Sequence, residues 1–171
     1  NEPSWMTELR KKALKLTETL EMPKPDKTKL RKWDFDTFKQ HHTTGDAYTQ
    51  LTDLPKSVKE IIDVENSENL IIQHNNELAY TQVSDQAKHD GVIIEGLSEA
   101  LVNHSDLVQK YFMTKAADVD EHRLTALHTA LVNGGIFVYV PKNTVVEHPI
   151  QYVVLHDDEQ ASFYNHVIIV T

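Results

Sequence analysis

Cysteine is absent from this chain of 171 residues, which excludes disulfides, thiolate nucleophiles and cysteine ligands for zinc or iron–sulfur clusters within it. The absence is compatible with a reducing compartment. Long apolar runs are also lacking. The longest, from Ile136 to Val140, is far shorter than the roughly 18 residues of a membrane helix. The N-terminus has no basic segment followed by an apolar one, so the sequence indicates no secretory signal.

Apolar residues are somewhat scarce, at 40% of the chain, compared with roughly 45–50% in globular domains. Charged residues, at 25%, are present in an ordinary proportion, which argues against wholesale disorder. The length indicates one domain, or one domain and part of another. We therefore expect a folded chain with a core of moderate size.

The net charge of −9 is unevenly distributed. Residues 1–40 carry 10 basic and 7 acidic side chains, a balance of +3, whereas residues 41–171 carry 7 and 19, a balance of −12. The acidic larger part would repel a polyanion, which disfavours a nucleic-acid-binding function. One basic stretch is interpreted as a solvated approach to a helix rather than a phosphate-binding patch. It comprises Lys24, Lys27, Lys29, Arg31 and Lys32.

An amphipathic helix is predicted near the N-terminus, because apolar residues recur there at steps of three or four. Its apolar face comprises Trp5, Leu9, Ala13, Leu16 and Leu20, flanked by Met6 and Leu14. Ser4 is predicted to cap this helix, and Pro23 and Pro25 to stop it because proline has no amide hydrogen. Aromatic rings bury large areas, so Trp33, Phe35 and Phe38 are predicted to anchor the helix to the rest of the protein.

The middle of the chain predicts alternating short elements. Residues 41–46 are expected to form a loop, and Pro55 to begin a short helix. Two apolar runs on either side of Asn75 and Asn76 predict a β-hairpin, since asparagine tolerates positive φ. A strand over 91–97 precedes helical spacing up to Phe112 and a further helix over 120–132. This last helix is expected to end at Gly134 and Gly135 in a left-handed conformation.

Short strands and turns replace the helices after Gly135. Strands are predicted over 136–140, 144–147, 150–155 and 161–170. Such a series, with turns at about ten-residue spacing, indicates a β-sandwich, a barrel or a β-helix. We predict one mixed helical and β-hairpin domain over 1–133 and a β-rich unit over 134–171. The apolar final strand has no capping signal, so we expect a fragment of a larger β-domain.

The ten histidines are the most conspicuous candidates for a metal site. Such a site usually needs three or four converging ligands. His122 and His128 are six residues apart and would face different sides of a helix, and no His-Glu-x-x-His pattern occurs. His148, His156 and His166 lie on separate predicted strands. Either they meet on one sheet face or they are unrelated surface or capped residues, and geometry decides between these alternatives.

Signatures of catalysis are lacking. No Gly-x-Ser-x-Gly elbow and no glycine-rich phosphate loop occurs. Asp118, Asp120 and Glu121 resemble part of a calcium loop without its glycine and closing glutamate, so we interpret them as helix caps. We therefore predict no catalytic, cofactor-binding or metal-binding residue in this chain. The alternative is a small cupin-like enzyme with a histidine metal site, although the His-x-His pattern of cupins is absent.

One stretch resembles a known family. Residues 135–150 read Gly-x-Phe-Val-Tyr-Val-Pro-Lys, then a turn, then Val-x-Glu-x-Pro-Ile, which is similar to the beginning of the β-helix core in the SufB/SufD family. The helix before it resembles the family's Leu-Asn-x-Ala helix, with His128 where asparagine is usual. Lys32 and Trp33, placed after a proline-rich linker and before an aromatic pair, are more like SufD than SufB. Asn76 and Asn143 stand where glycine is common.

The resemblance implies a right-handed parallel β-helix, of which this chain would contain the first rungs, each needing the next to bury its face. It implies a cytoplasmic, non-catalytic scaffold for iron–sulfur cluster assembly, with SufB-like and SufC-like proteins as partners. The complete complex would handle clusters, with ATP at SufC, and this chain would hold no cofactor. The family's cluster-related and SufC-docking positions lie in its C-terminal part, so none maps onto a residue here. Phe137 and Tyr139 are predicted as structural anchors.

Overall fold

The computed structural model describes residues 2–41 and 45–171. Within them, six α-helices and two three-stranded sheets form an α+β fold, the class that the sequence predicts. The helices are α1 (Ser4–Leu16), α2 (Lys56–Lys59), α3 (Asp85–His89), α4 (Leu97–Asn103), α5 (Ser105–Tyr111) and α6 (Arg123–Leu131). The strands are β1 (Asn69–His74), β2 (Glu77–Gln82), β3 (Ile93–Gly96), β4 (Gly134–Tyr139), β5 (Ile150–Leu155) and β6 (Asn165–Val170). The predicted loop over 41–46 lies partly outside the described residues.

Each sheet combines an antiparallel and a parallel pairing. The first has the order β2-β1-β5, in which β1 and β2 form the hairpin and β5 runs parallel to β1. The second has the order β3-β4-β6, with β4 antiparallel to β3 and parallel to β6. An apolar cluster with members from both sheets packs between them. It contains Ile71, Ile94, Ile136 and Val138, with Ile150 and Tyr152 against it.

The path from β4 to β6 alternates between the two sheets. β4 lies in the second sheet, β5 in the first, and β6 returns beside β4 in parallel register, from Gly134 opposite Asn165 to Tyr139 opposite Val170. Parallel neighbours need a crossover connection, and here that crossover contains a strand of the other sheet. Both sheets combine strands from 1–133 and 134–171. The division of the chain into two units at this boundary stays a prediction.

Helix α1 packs on α6, and Met6 and Ala13 are its buried residues. Arg10 donates to the carbonyl oxygen of Ala130 at 3.0 Å. From α6, Arg123 donates to the carbonyl oxygen of Thr17 at 3.2 Å. These bonds satisfy carbonyl groups near the ends of the two helices. The amphipathic N-terminal helix is thus confirmed, and Met6, expected at its flank, is fully buried.

The three aromatic residues after α1 do not anchor it, contrary to the sequence prediction. Trp33 is 62% exposed and Phe38 is also exposed, whereas Phe35 is half-buried. None of the three belongs to or packs against an apolar core cluster of the described residues. Phe137, in contrast, is fully buried in the cluster beneath α1, and Tyr139 is half-buried against it.

Three predictions of where helices begin or end were wrong. Ser4 is the first residue of α1, and the cap residue is Pro3, whose carbonyl oxygen accepts from Met6 N–H at 3.0 Å. At the start of α6 the cap is His122, whose Nδ1 accepts from Thr125 N–H at 3.1 Å. The acidic residues predicted as caps therefore do not fill that role. The same helix ends at Leu131, its cap residue Val132 has φ −51° and ψ 126°, and Gly134 begins β4 instead of capping the helix.

The strands predicted around Asn75, over 91–97, 136–140, 150–155 and 161–170 are confirmed. The bounds of β5 are as predicted, β3 and β6 are shorter, and β4 begins two residues earlier. Asn75 has φ 54°, as a tight hairpin requires. The strand predicted over 144–147 is wrong. That segment lies in the turn-containing connection between β4 and β5 and pairs with none of the described strands. Its β-branched composition is typical of a strand, but pairing depends on a neighbour.

Candidate functional site

The three histidines of the candidate metal site have separate partners. His148 Nδ1 lies 3.6 Å from Glu68 Oε2. The His156 ring stacks on Phe163, with 5.2 Å between ring centroids. His166 contacts His128. Within residues 2–41 and 45–171, no group of three or more histidine, cysteine or acidic side chains is placed to hold a metal ion.

His128 and His166 form a pair that joins α6 to β6. Nε2 of His128 lies 2.8 Å from Nδ1 of His166, and the His166 ring is 4.7 Å from that of Phe112 between centroids. Burial, and then the charge of His128, lower the pKa of His166 to about 4. Burial, and then the charge of Arg10, lower the pKa of His128. Both rings are therefore neutral at pH 7, and one donates a hydrogen to the other.

His74 lies in a second polar cluster, at the end of β1. Its Nδ1 accepts from Asp46 N–H at 2.8 Å, so the ring hydrogen is on Nε2 and is donated to Asp157 at 2.9 Å. This bond is the main cause that lowers the pKa of the Asp157 carboxyl. Asn75 Oδ1 accepts from the backbone N–H groups of Asp157 and Asp158 at 3.2 and 3.3 Å. The cluster ties the hairpin to the turn after β5.

Gln73 links the two sheets from the inside. The side chain is buried, and its Oε1 accepts from Gly135 N–H at 3.0 Å while its Nε2 donates to the Asn75 carbonyl oxygen at 2.8 Å. The Tyr152 hydroxyl lies 2.5 Å from Gln73 Oε1 and 3.0 Å from Asn165 Oδ1. Burial raises the pKa of Tyr152 to about 12. The phenol thus stays protonated, and its one hydrogen is available to Gln73 on β1 or to Asn165 on β6.

An apolar inner face continues onto β6 and is open there. Val167 and Ile169 stand opposite Ile136 and Val138 in the parallel register, and paired residues of neighbouring strands point to the same face. Their partners are buried between the sheets, yet Val167 is 45% and Ile169 65% exposed. Within the described part of the chain, β5 and β6 each have a paired strand on one side only. We call this surface the open rung: the outer edges of β5 and β6 with Val167 and Ile169.

An open rung can accept a further strand, because it offers unpaired backbone groups beside apolar side chains. Gln73 holds the two sheets together, and the pair of His128 and His166 holds α6 on β6. A model of the SufBD protein N-terminal region matches residues 1–152.

The chain belongs to the SufBD family. Among its SufBD relatives, the iron-sulfur cluster assembly protein SufD of Bacillus subtilis is 47% identical over 170 residues, which are 99% of this chain and 39% of that protein. Iron-sulfur cluster assembly SufBD family proteins of Mycobacterium bovis and Staphylococcus aureus are 29% and 27% identical, over 99% of this chain. They are covered to 21% and 38% of their own lengths. The chain thus spans well under half of these SufBD proteins.

SufBD membership confirms the resemblance seen over residues 135–150 and replaces the cupin-like alternative. No helix in the described residues is both long and apolar enough to cross a membrane. Sequence reasoning missed Gln73 and the pairing of His128 with His166. The one sequence signal for the histidine pair was His128, which stands where the family usually has asparagine.

Proposed function

We propose that the full-length product of this gene is a non-catalytic scaffold subunit for iron–sulfur cluster assembly. The observation that carries the proposal is the SufBD match over residues 1–152, with 47% identity to a SufD protein named for that process. The described structure supports it, because its polar side chains hold elements together: the buried Gln73 joins the sheets, and the half-buried His128 joins α6 to β6.

The partners proposed are a SufB-like protein and a SufC-like ATPase, and the proposed location is the cytoplasm. The support for these partners is the family resemblance. Clusters and ATP belong to the complete complex in this proposal, and this chain binds neither.

We further infer that β4, β5 and β6 form the first coil of a right-handed parallel β-helix. The support is the alternation of these strands between two sheets and the in-register return of β6 beside β4. A second support is the open rung, where Val167 and Ile169 extend an apolar interior. In the full-length protein, the strands that follow would cover these two side chains.

An aspartate at position 169 tests this inference in the full-length protein. Ile169→Asp should lower the free energy of unfolding by more than about 2 kcal/mol, because a charge would be buried in the next coil. Val145→Asp is the matched control, since Val145 is exposed in the connection between β4 and β5, and it should change stability by less than about 0.5 kcal/mol. Equal, small effects of both substitutions would contradict the coil.

Depletion of the gene tests the function. Aconitase, which carries an iron–sulfur cluster, should lose activity, whereas malate dehydrogenase, which has no cluster, should keep it. The full-length gene should restore aconitase. Unchanged aconitase activity after depletion would overturn the proposal.

A further inference from the structure

A cleft lies between the segment 21–36 and Arg123 at the start of α6, on the outside of the fold. Its volume is about 920 Å³, within the range of roughly 300–1,000 Å³ for pockets that bind small ligands. Pro23 and Pro25 line it, and their rings restrict the backbone of one wall. We call this feature the 21–36 cleft.

The apolar part of the 21–36 cleft is an exposed aromatic stack. The rings of Trp33 and Phe35 are 6.0 Å apart between centroids and inclined by 21°. Trp33 remains largely exposed, although it is the side chain with the most apolar area to lose on burial. Tryptophan is enriched among the residues that dominate binding energy at interfaces.

The acidic groups of the cleft are already engaged. Glu21 pairs with Lys24 at 2.8 Å, and Asp36 pairs with Arg123 at 2.5 Å. Asp34 Oδ1 accepts two backbone N–H groups of its own turn, at 2.9 and 3.1 Å.

The basic groups of the cleft are not all engaged. Lys29 and Arg31 line it, and neither has an ion pair with any described acidic residue. Lys27 and Lys32, also exposed, add positive charge to the same segment, and Asp26 is the one acidic residue among them outside the lining. The lining of the cleft carries four basic and three acidic side chains, a balance of +1, whereas residues 41–171 carry a balance of −12, from 7 basic and 19 acidic side chains.

We propose that the 21–36 cleft binds a short acidic segment of a partner protein. An apolar side chain of that segment packs on Trp33, and flanking carboxylates contact Lys29 and Arg31. Charge complementarity favours such a segment over a nucleic acid, because the acidic remainder of the chain repels a long polyanion but adds little repulsion to a few carboxylates at this site. The proposal stands independently of the role in cluster assembly.

Selection from a random heptapeptide display library against the full-length protein tests the proposal. Selected peptides should be enriched in aspartate and glutamate next to an aromatic or large aliphatic residue. For the best peptide, measured by fluorescence anisotropy, Trp33→Ala should weaken binding at least tenfold. The double variant Lys29→Glu/Arg31→Glu should do the same and should shift a new selection toward lysine and arginine.

The matched control is Lys12→Glu/Lys142→Glu, which changes the net charge equally at exposed positions outside the cleft. It should bind the peptide as the unchanged protein does, and circular dichroism should show that every variant is folded. Absence of acidic enrichment would overturn the proposal, as would binding insensitive to Trp33→Ala. Displacement of the peptide by oligouridylate or ATP at lower concentration than by free peptide would assign the cleft to a phosphate ligand and also overturn it.

Discussion

His128 and His166 face each other with 2.8 Å between Nε2 of the first and Nδ1 of the second. Only one hydrogen fits between these atoms, so protonation of both rings would bring two N–H groups and two positive charges together. Phe112 packs on one ring, and Arg10 already disfavours charge on the other. The contact between α6 and β6 therefore depends on two neutral rings.

This pair makes stability depend on pH. The pKa of His166 is lowered to about 4 in the folded chain, whereas in the unfolded chain it is near 6.5. The unfolded state therefore binds more protons between these pH values. The contribution of the neutral His166 ring to stability is complete above pH 6.5 and is lost as pH falls toward 4. We expect a loss on the order of 2 kcal/mol, allowing for the partial exposure of the ring. Urea unfolding at pH 7, 6 and 5 measures it.

The variant His166→Gln identifies the source of the pH dependence. His166→Gln should reduce the change in the free energy of unfolding between pH 7 and 5. His89→Gln, at an exposed position on α3, should leave this change as it is. The Asp157 carboxyl, whose pKa is lowered from 3.8, loses its contribution only at lower pH and does not interfere. The same slope in His166→Gln as in the unchanged chain would show that the pair is not responsible.

Gly135 is predicted to be the least replaceable residue of β4. It has φ 134°, and a Cβ there would collide with the carbonyl oxygen of His166 in the neighbouring strand. Gly135→Ala should lower the free energy of unfolding by more than about 3 kcal/mol. Gly91→Ala is the matched control, since Gly91 also has positive φ but its Cβ would meet only Pro141 at 3.6 Å. It should cost about 1 kcal/mol, and equal effects would contradict the close approach of β4 and β6.

The hydroxyl of Tyr152 is predicted to stabilise the contact between the sheets. Tyr152→Phe leaves the buried Gln73 oxygen with one donor fewer, so it should cost about 1–2 kcal/mol in urea unfolding. Tyr80→Phe removes a hydroxyl that bonds only to Gln82, two residues along the same half-exposed strand, and should cost less than about 0.5 kcal/mol. A larger loss from Tyr80→Phe would show that Gln73 is not the central link.

Trp33 and Phe137 should respond in opposite ways to truncation. Phe137→Ala should lower the free energy of unfolding by about 3–5 kcal/mol, because it leaves a cavity in the apolar cluster beneath α1. Trp33→Ala should change stability by less than about 0.5 kcal/mol, because the ring is exposed. Thermal and urea unfolding compare them directly. A large loss at Trp33 would restore the anchoring role that the sequence suggested.

The elements that sequence predicts well are those whose signals are local. The hairpin depends on two apolar runs and on Asn75, whose amide side chain tolerates positive φ. The strands β4 and β5 are apolar runs bounded by turns. In contrast, the strand expected over 144–147 has the right composition and no partner, and no local signal reports a missing neighbour.

The polar contacts are predicted poorly because their partners are far apart in sequence. His166 lies 38 residues from His128, and Gln73 is 62 residues from Gly135. Spacing rules for one helix or one strand cannot detect such pairs. For the same reason Trp33 was expected in the core, since its aromatic character is visible in the sequence and its surroundings are not.

Purification of the full-length gene product, co-expressed with the SufB and SufC proteins of the same organism, tests the central claim most directly. Native mass spectrometry of the tagged full-length protein should show one stable complex that contains all three proteins. Recovery of the folded full-length protein alone, with SufB and SufC in a complex without it, would contradict the scaffold function.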